Sequence, residues 1–314
     1  NWLAGKSGSR HVLRDRAGHI VEDLEAAKMP QNGKDLVLSI DRKVQYLAFR
    51  ELSKAVEQHH AQAGSAIVMD AKTGEILAMV NLPSYNPNNP TNIAGKSRNR
   101  ALTDTFEPGS TMKPMAVAMG LESGKYRPET RLETSPGTYK IGPATIHDTH
   151  NYGTLTVAGV VQKSSNVGAT KIALSLEPQF MWSMLNQMGF GTPTRIEFPG
   201  EVSGRLRSYK TWRPIEQATM SYGNGISVTL LQLARAYTVF ANDGELRPVT
   251  LIKSKEIPVG QQVLSPENAR SVRDMLETVV QPGGTAVKAQ VMGYRVAGKT
   301  GTAHKPGVGG YQNK

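Results

Sequence analysis

A serine hydroxyl becomes a nucleophile only when a neighbouring base can take its proton. A lysine can be that base once burial or nearby cations pull it below its free pKa of about 10.4. The 314-residue chain contains Ser-x-x-Lys once, from Ser110 to Lys113. On a helix opening at Ser110, that spacing puts both side chains on one face, with the hydroxyl at the positive end of the helix dipole. Alone the motif is weak. Composition gives about one such match by chance, and a helix N-cap followed by an exposed lysine uses the same residues.

A second element, Ser-x-Asn, sets a hydroxyl beside an amide. The hydroxyl can pass a proton to a leaving group, and the amide can hold a substrate amide. It occurs at Ser84–Asn86, Ser97–Asn99 and Ser164–Asn166. The first two lie in a stretch rich in Pro and Asn and read as turn residues, whereas Ser164 interrupts an apolar helical run. A third element, Lys-Thr-Gly, offers a cation and a hydroxyl, with a glycine that lets a substrate backbone lie alongside. It occurs at Lys72-Thr73-Gly74, a hairpin tip, and at Lys299-Thr300-Gly301, followed by Thr302. Only 110–113, 164–166 and 299–301 give the three in order with a helix, a helix break and a strand as hosts, and together they are far more specific than any one.

The elements that must position these residues follow from periodicity and punctuation. Residues 14–21 read as a hairpin turning at Ala17-Gly18, and residues 35–40 as a strand. Asp41 caps a helix to about residue 58 with Val44, Leu47, Ala48, Leu52 and Val56 on one face. Residues 65–69 and 75–80 form a second hairpin turning through Gly74, and 82–105 form a loop. Helices are predicted over 110–122, over 155–176 with a break at 164–166, over 228–242, and over 266–280 with Val272, Met275, Leu276 and Val279 inward. Residues 294–303 read as a closing strand. The sum is an α+β fold with helices packed on an antiparallel sheet. A polar segment, 1–33, precedes the main domain, 34–314.

Bulk properties bound the function. With 39% hydrophobic and 20% charged residues the chain is ordinary globular protein. The formal net charge of +11 is spread along it. With no basic tail, no helix-turn-helix pattern and only 6% aromatic residues, nucleic acid is not the expected partner. The absence of cysteine excludes disulfides, thiolate metal sites and thiol nucleophiles. His147 and His150 stand in an H-x-x-H spacing without the glutamate of a metalloprotease, which reads as a polar loop, so neither metal nor cofactor is expected.

At these motifs the sequence resembles the transpeptidase domain of class B penicillin-binding proteins, most nearly the division-specific type of Gram-negative bacteria. The likeness includes Gly64-Ser65-Ala66, Asp70-x-Lys72-Thr73-Gly74-Glu75, Pro83-Ser84-Tyr85-Asn86-Pro87, Phe106-Glu107-Pro108-Gly109-Ser110-Thr111, Lys163-Ser164-Ser165-Asn166-Val167-Gly168 and Val228-Thr229 with Gln232-Leu233-Ala234. It covers essentially all of 34–314, and 1–33 resembles the end of a non-catalytic pedestal. The resemblance implies the penicillin-binding fold, an antiparallel sheet sandwiched by helices. It also implies a D,D-transpeptidase that cross-links peptidoglycan stem peptides in the septal wall through a Ser110 acyl-enzyme, with β-lactams acylating the same serine. Lys113 would be the base, Ser164 and Lys299 the proton relay, and Asn166 the amide holder. Thr300 and Thr302 would take the terminal carboxylate, Gly301 would lie along the substrate backbone, Tyr222 would line the site, and the N–H groups of Ser110 and Thr302 would form the oxyanion hole. A membrane glycan polymerase and division proteins would be partners, and the location the periplasmic face of the inner membrane.

Two departures are expected to matter. Asn224, in Tyr222-Gly223-Asn224-Gly225, stands where relatives often carry a second aromatic. Relatives also continue past Lys-Thr-Gly with two further strands and a closing helix, so the sequence is expected to be an incomplete or cleaved portion. Three rival readings use the same residues. They are a D,D-carboxypeptidase or β-lactamase-like hydrolase, which as a β-lactamase needs a second base that the sequence does not mark, Glu201 lying in a Pro-Gly loop with nothing to place it near Ser110; a non-enzymatic β-lactam receptor; and a generic basic binding module in which Ser110 is a cap.

Overall fold

The computed structural model describes residues 2–302 except 90, 92 and 255, together with 306–307 and 310–311. The chain divides into two compact units, Asn1–Ser39 and Ile40–Lys314. The first is built on a hairpin, β1 (Ser9–Arg14) and β2 (Ile20–Lys28). Its turn closes as the Asp15 carboxylate accepts from the Ala17 and His19 N–H groups while Gly18 takes positive φ. Residues 35–40 do not form the predicted strand. Among the described residues Leu38 makes only an isolated bridge, and Leu36, Val37 and Leu38 are exposed, because apolar composition makes a strand only where a partner edge runs along it.

In the second unit α1 (Arg42–Gln58) starts where Asp41 accepts from the Lys43 and Val44 N–H groups. It packs on the antiparallel hairpin β3 (Gly64–Met69) and β4 (Ile76–Leu82). Gln45 donates to the Met79 carbonyl and accepts from its N–H, closing part of the free edge of β4. Of the face predicted inward, Leu47 is exposed. The 82–105 loop holds one short helical turn, α2 (Arg100–Thr103).

A 3₁₀ turn, Gly109–Met112, runs into α3 (Lys113–Glu122). Every residue of α3 from Lys113 to Leu121 is buried. Apolar on all sides, it is a central helix rather than a surface one. Short ladders pair β5 (Arg131–Glu133) with β8 (Thr154–Thr156) and β6 (Thr138–Ile141) with β7 (Ala144–His147). Then follow α4 (Val157–Lys163), α5 (Asn166–Leu174), α6 (Pro178–Gln187), α7 (Pro214–Met220) and α8 (Leu230–Ala241). β9 (Glu245–Leu246) pairs with β10 (Gln261–Gln262), and α9 (Pro266–Thr278) closes the helical layer. Helix α3 packs against α4, α5, α6 and α9, around a core rich in methionine (Met112, Met115, Met119, Met181, Met184, Met188). Helices and antiparallel ladders together give the α+β class expected.

The predicted strand at 294–303 is a second correction. Residues 295–302 carry no strand or helix among the described residues, and residue 303 lies outside them. The segment is held instead by helix and turn: Gly298 donates its N–H to the Leu276 carbonyl of α9. Gly301 sits where an added Cβ would lie 2.8 Å from Thr111 Cγ2 and 3.1 Å from the Pro108 carbonyl.

Candidate active site

The 3₁₀ turn changes the geometry expected of Ser-x-x-Lys in a favourable direction. With three residues per turn, positions i and i+3 eclipse, so Lys113, the first residue of α3, lies over Ser110. Lys113 is 1% exposed. Its Nζ lies 2.9 Å from Ser110 Oγ, 3.0 Å from Ser164 Oγ and 2.5 Å from the Ser164 carbonyl. The carbonyl can only accept, but both hydroxyls can donate. A neutral amine therefore fits, giving N–H to the Ser164 carbonyl and taking the Ser110 proton on its lone pair. Burial pushes Lys113 well below the ordinary lysine range; Lys299 adds to this and the Asp148 carboxylate opposes it.

Ser164 ends α4 in the left-handed conformation, φ 61° and ψ 42°, uncommon for a residue with a Cβ. That one residue turns the chain between α4 and α5 and points the hydroxyl into the site. Lys299 Nζ donates to Ser164 Oγ at 2.8 Å and to the Thr300 carbonyl at 3.1 Å. Burial lowers Lys299 to about 8, so near neutral pH it remains mostly charged. Ser110 Oγ, Lys113 Nζ, Ser164 Oγ and Lys299 Nζ thus form one unbroken chain of contacts.

Asn166 opens α5. Its Nδ2 donates to the His147 carbonyl at 2.8 Å, which fixes the amide plane and leaves a second N–H and Oδ1 available. Thr300 Oγ1 lies 2.8 Å from Thr285 Oγ1. The second Lys-Thr-Gly and the other Ser-x-Asn pairs stand elsewhere. In Lys72-Thr73-Gly74 the Lys72 and Thr73 N–H groups bond Asp70, and Gly74 lies so close to Pro248 that a Cβ would meet its carbonyl at 1.8 Å. Asn86 accepts from the Asn88 N–H, and Asn99 accepts from Asn81. His150 stacks edge-on against Tyr152. Both oxygens of Glu201 are engaged by its own loop, through Thr194 and the Arg195 N–H.

Residues 64–314 match the family model described as the penicillin binding protein transpeptidase domain. The chain belongs to that family. It is 48% identical over 306 residues to the probable peptidoglycan D,D-transpeptidase PenA of Neisseria flavescens, covering 96% of this chain and 76% of the relative. It is 44% identical over 315 residues to the peptidoglycan D,D-transpeptidase FtsI of Escherichia coli K12, covering all of this chain and 53% of the relative. The chain thus spans about half the length of the latter. Among solved structures, the TP domain of Burkholderia pseudomallei penicillin-binding protein 3 superposes with a TM-score of 0.82 at 51% identity, over 88% of this chain and 80% of that one.

Three residues around this candidate site lie outside Ser-x-x-Lys, Ser-x-Asn and Lys-Thr-Gly. Asp148 accepts from the Asn166 N–H at 2.5 Å, the Val167 N–H at 3.0 Å and Ser165 Oγ at 2.6 Å, pinning the start of α5. Glu107 accepts from the Gly225 N–H at 2.9 Å and from Asn224 Nδ2 at 3.2 Å. Asn224 is therefore used to tie down the turn that carries Tyr222. On that turn Gly223 (φ 86°) lies against Gly109, whose carbonyl would be 2.1 Å from an added Cβ. Tyr237, on α8, donates from its hydroxyl to the Thr111 carbonyl at 2.8 Å. A lone Asp, Glu or Tyr carries no spacing signal. The glycines at 109 and 223 were visible in the sequence, but their contact was not. The side of Gly301 expected to lie along a substrate is filled, at the Cβ position, by Thr111 and Pro108, so packing alone already requires glycine there.

Proposed function

We propose that this chain carries the acyl-transfer site of a peptidoglycan D,D-transpeptidase, the activity named for its relatives. The observation that carries the reading is the contact chain from Ser110 through Lys113 and Ser164 to Lys299. Ser110 Oγ attacks the carbonyl of the penultimate D-Ala as its proton passes to Lys113. The tetrahedral oxyanion is held by the N–H groups of Ser110 and Thr302, an interaction worth about 10²–10³ in rate per donor. The proton reaches the departing D-Ala nitrogen through Ser164, which the Lys299 cation polarises. Asn166 holds the peptide amide, Thr300 and Thr302 take the terminal carboxylate, and Tyr222 lines the cleft. An amine of a second stem peptide then attacks the ester, forming the cross-link and freeing Ser110.

A β-lactam presents a similar acyl group and carboxylate, and acylates Ser110 without an easily expelled fragment. The engagement of Glu201 by its own loop favours transfer over the β-lactamase reading, because it leaves no placed second base there. Cross-linking in the septal wall, residues 1–33 as the end of a pedestal, a glycan polymerase partner and a site at the periplasmic face of the inner membrane complete the proposal. Among the described residues no helix is long and apolar enough to cross a membrane.

Labelling with a fluorescent penicillin, followed by peptide mapping, tests the reading. The adduct is expected on Ser110, to persist through a chase without drug, and to vanish in Ser110→Ala. Labelling at another residue would refute the site, and rapid loss of the adduct would replace the transferase with a hydrolase.

A further inference from the structure

Outside the motifs, one loop touches Lys-Thr-Gly and the residue that precedes Ser-x-Asn. Residues 281–286 (Gln-Pro-Gly-Gly-Thr-Ala) follow α9. The Gly283 carbonyl accepts from Lys163 Nζ at 2.8 Å, and Lys163 is the residue before Ser164. Gly284 donates its N–H to the Gln281 carbonyl at 2.9 Å and packs so closely that a Cβ would lie 2.1 Å from the Val279 carbonyl. Ala286 donates to that same carbonyl at 2.9 Å. Thr285 is thereby held on a short, internally bonded turn, and its Oγ1 reaches Thr300 Oγ1 at 2.8 Å.

Either hydroxyl can donate across that contact. A carboxylate removes the choice. It has acceptors only, so a Thr300 hydroxyl that meets it must donate to it, and the Thr300 oxygen is then free to accept from Thr285. Successive hydroxyls aligned this way polarise one another toward the anion. A terminal carboxamide can present an N–H instead and does not impose that direction. We infer that Thr285 is a positioning residue for substrate selection: it orients the Thr300 hydroxyl toward the free carboxylate of the donor stem peptide. The inference rests on the proposed function, in which Thr300 binds that carboxylate.

The test uses the full-length protein with a thioester analogue of a D-Ala-terminated donor and its carboxamide counterpart. It reads the ratio of the two acylation rates. Thr285→Val is expected to lower the carboxylate-to-carboxamide ratio about ten-fold, the loss of about 1.4 kcal/mol. Thr285→Ser is expected to restore it, with the thermal midpoint of both variants close to wild type because Thr285 is exposed. A Thr285→Val protein that keeps the ratio, or loses both rates equally, overturns the inference. Thr300→Val separates the two levels. If wild type shows no carboxylate preference, or Thr300→Val retains it, the proposed function of Thr300 fails and this inference with it. If Thr300→Val abolishes the preference and Thr285→Val keeps it, only the role of Thr285 falls.

Discussion

Among the motif residues other than glycine, Ser164 alone has positive φ, and its hydroxyl contacts both lysines. Strain and chemistry therefore sit on one residue and can be separated by two substitutions. Ser164→Ala removes the hydroxyl and keeps a Cβ in the left-handed region; Ser164→Gly removes both. The left-handed conformation costs an L-residue about 1–2 kcal/mol, and glycine gives back about 0.4–1 kcal/mol through the freedom of the unfolded chain. The Gly variant should then be more stable than the Ala variant by about 0.5–1 kcal/mol, or about 1–4 °C in Tm for a domain of this size. Both should lose acylation by about 10²–10⁴, the range for a positioned proton-transfer group. Scanning calorimetry and the stopped-flow rate of penicillin acylation measure the two effects separately. An Ala variant as stable as the Gly variant would refute the strain, and a Gly variant acylating within a few-fold of wild type would refute the relay.

In the proposed reaction Lys113 acts neutral and Lys299 charged, so the acylation rate should be bell-shaped in pH. The alkaline limb should fall near the Lys299 value of about 8, and Lys299→Arg, charged throughout, should lose that limb; a fall persisting near the same pH would exclude Lys299 as its origin. The Asp148 carboxylate favours protonated Lys113, so Asp148→Asn should move the acid limb to lower pH. It should also cost about 2 kcal/mol through weaker bonds at the start of α5, and an upward move of the limb would contradict the assignment. Gly223→Ala drives a Cβ into the Gly109 backbone and should leave little protein able to bind penicillin. Gly142→Ala, also at positive φ but with open space around it, should cost about 1 kcal/mol and label fully. Equal labelling of the two would show that the contact beneath Ser110 is dispensable.

The motifs picked out candidate reactive side chains because each depends on short spacing. Ser110 and Lys113 are three residues apart, and a single 3₁₀ turn brings such a pair together whatever surrounds it, while Ser164 and Asn166 mark the break between two helices. The N-cap at Asp41 and the break at 164–166 were legible for the same reason. Strands were legible only as hairpins, as in 64–82, where the partner is next in the chain. Residues 35–40 and 294–303 have strand-like composition, but a strand needs an edge to bond to, and no local pattern states whether one is there.

By itself, then, the sequence singled out the candidate reactive residues and the order in which they occur. Tertiary structure brought the Ser-x-Asn and Lys-Thr-Gly segments that their order had already selected into contact with Lys113 and with each other. It buried Lys113, which pulls that amine well below the ordinary lysine range. It also showed that Asp148, Glu107, Thr285 and two touching glycines hold the constellation together. Proton transfer requires contact within about 3 Å, and the contact between Ser164 and Lys299 spans 135 positions of chain. Only packing sets a distance like that.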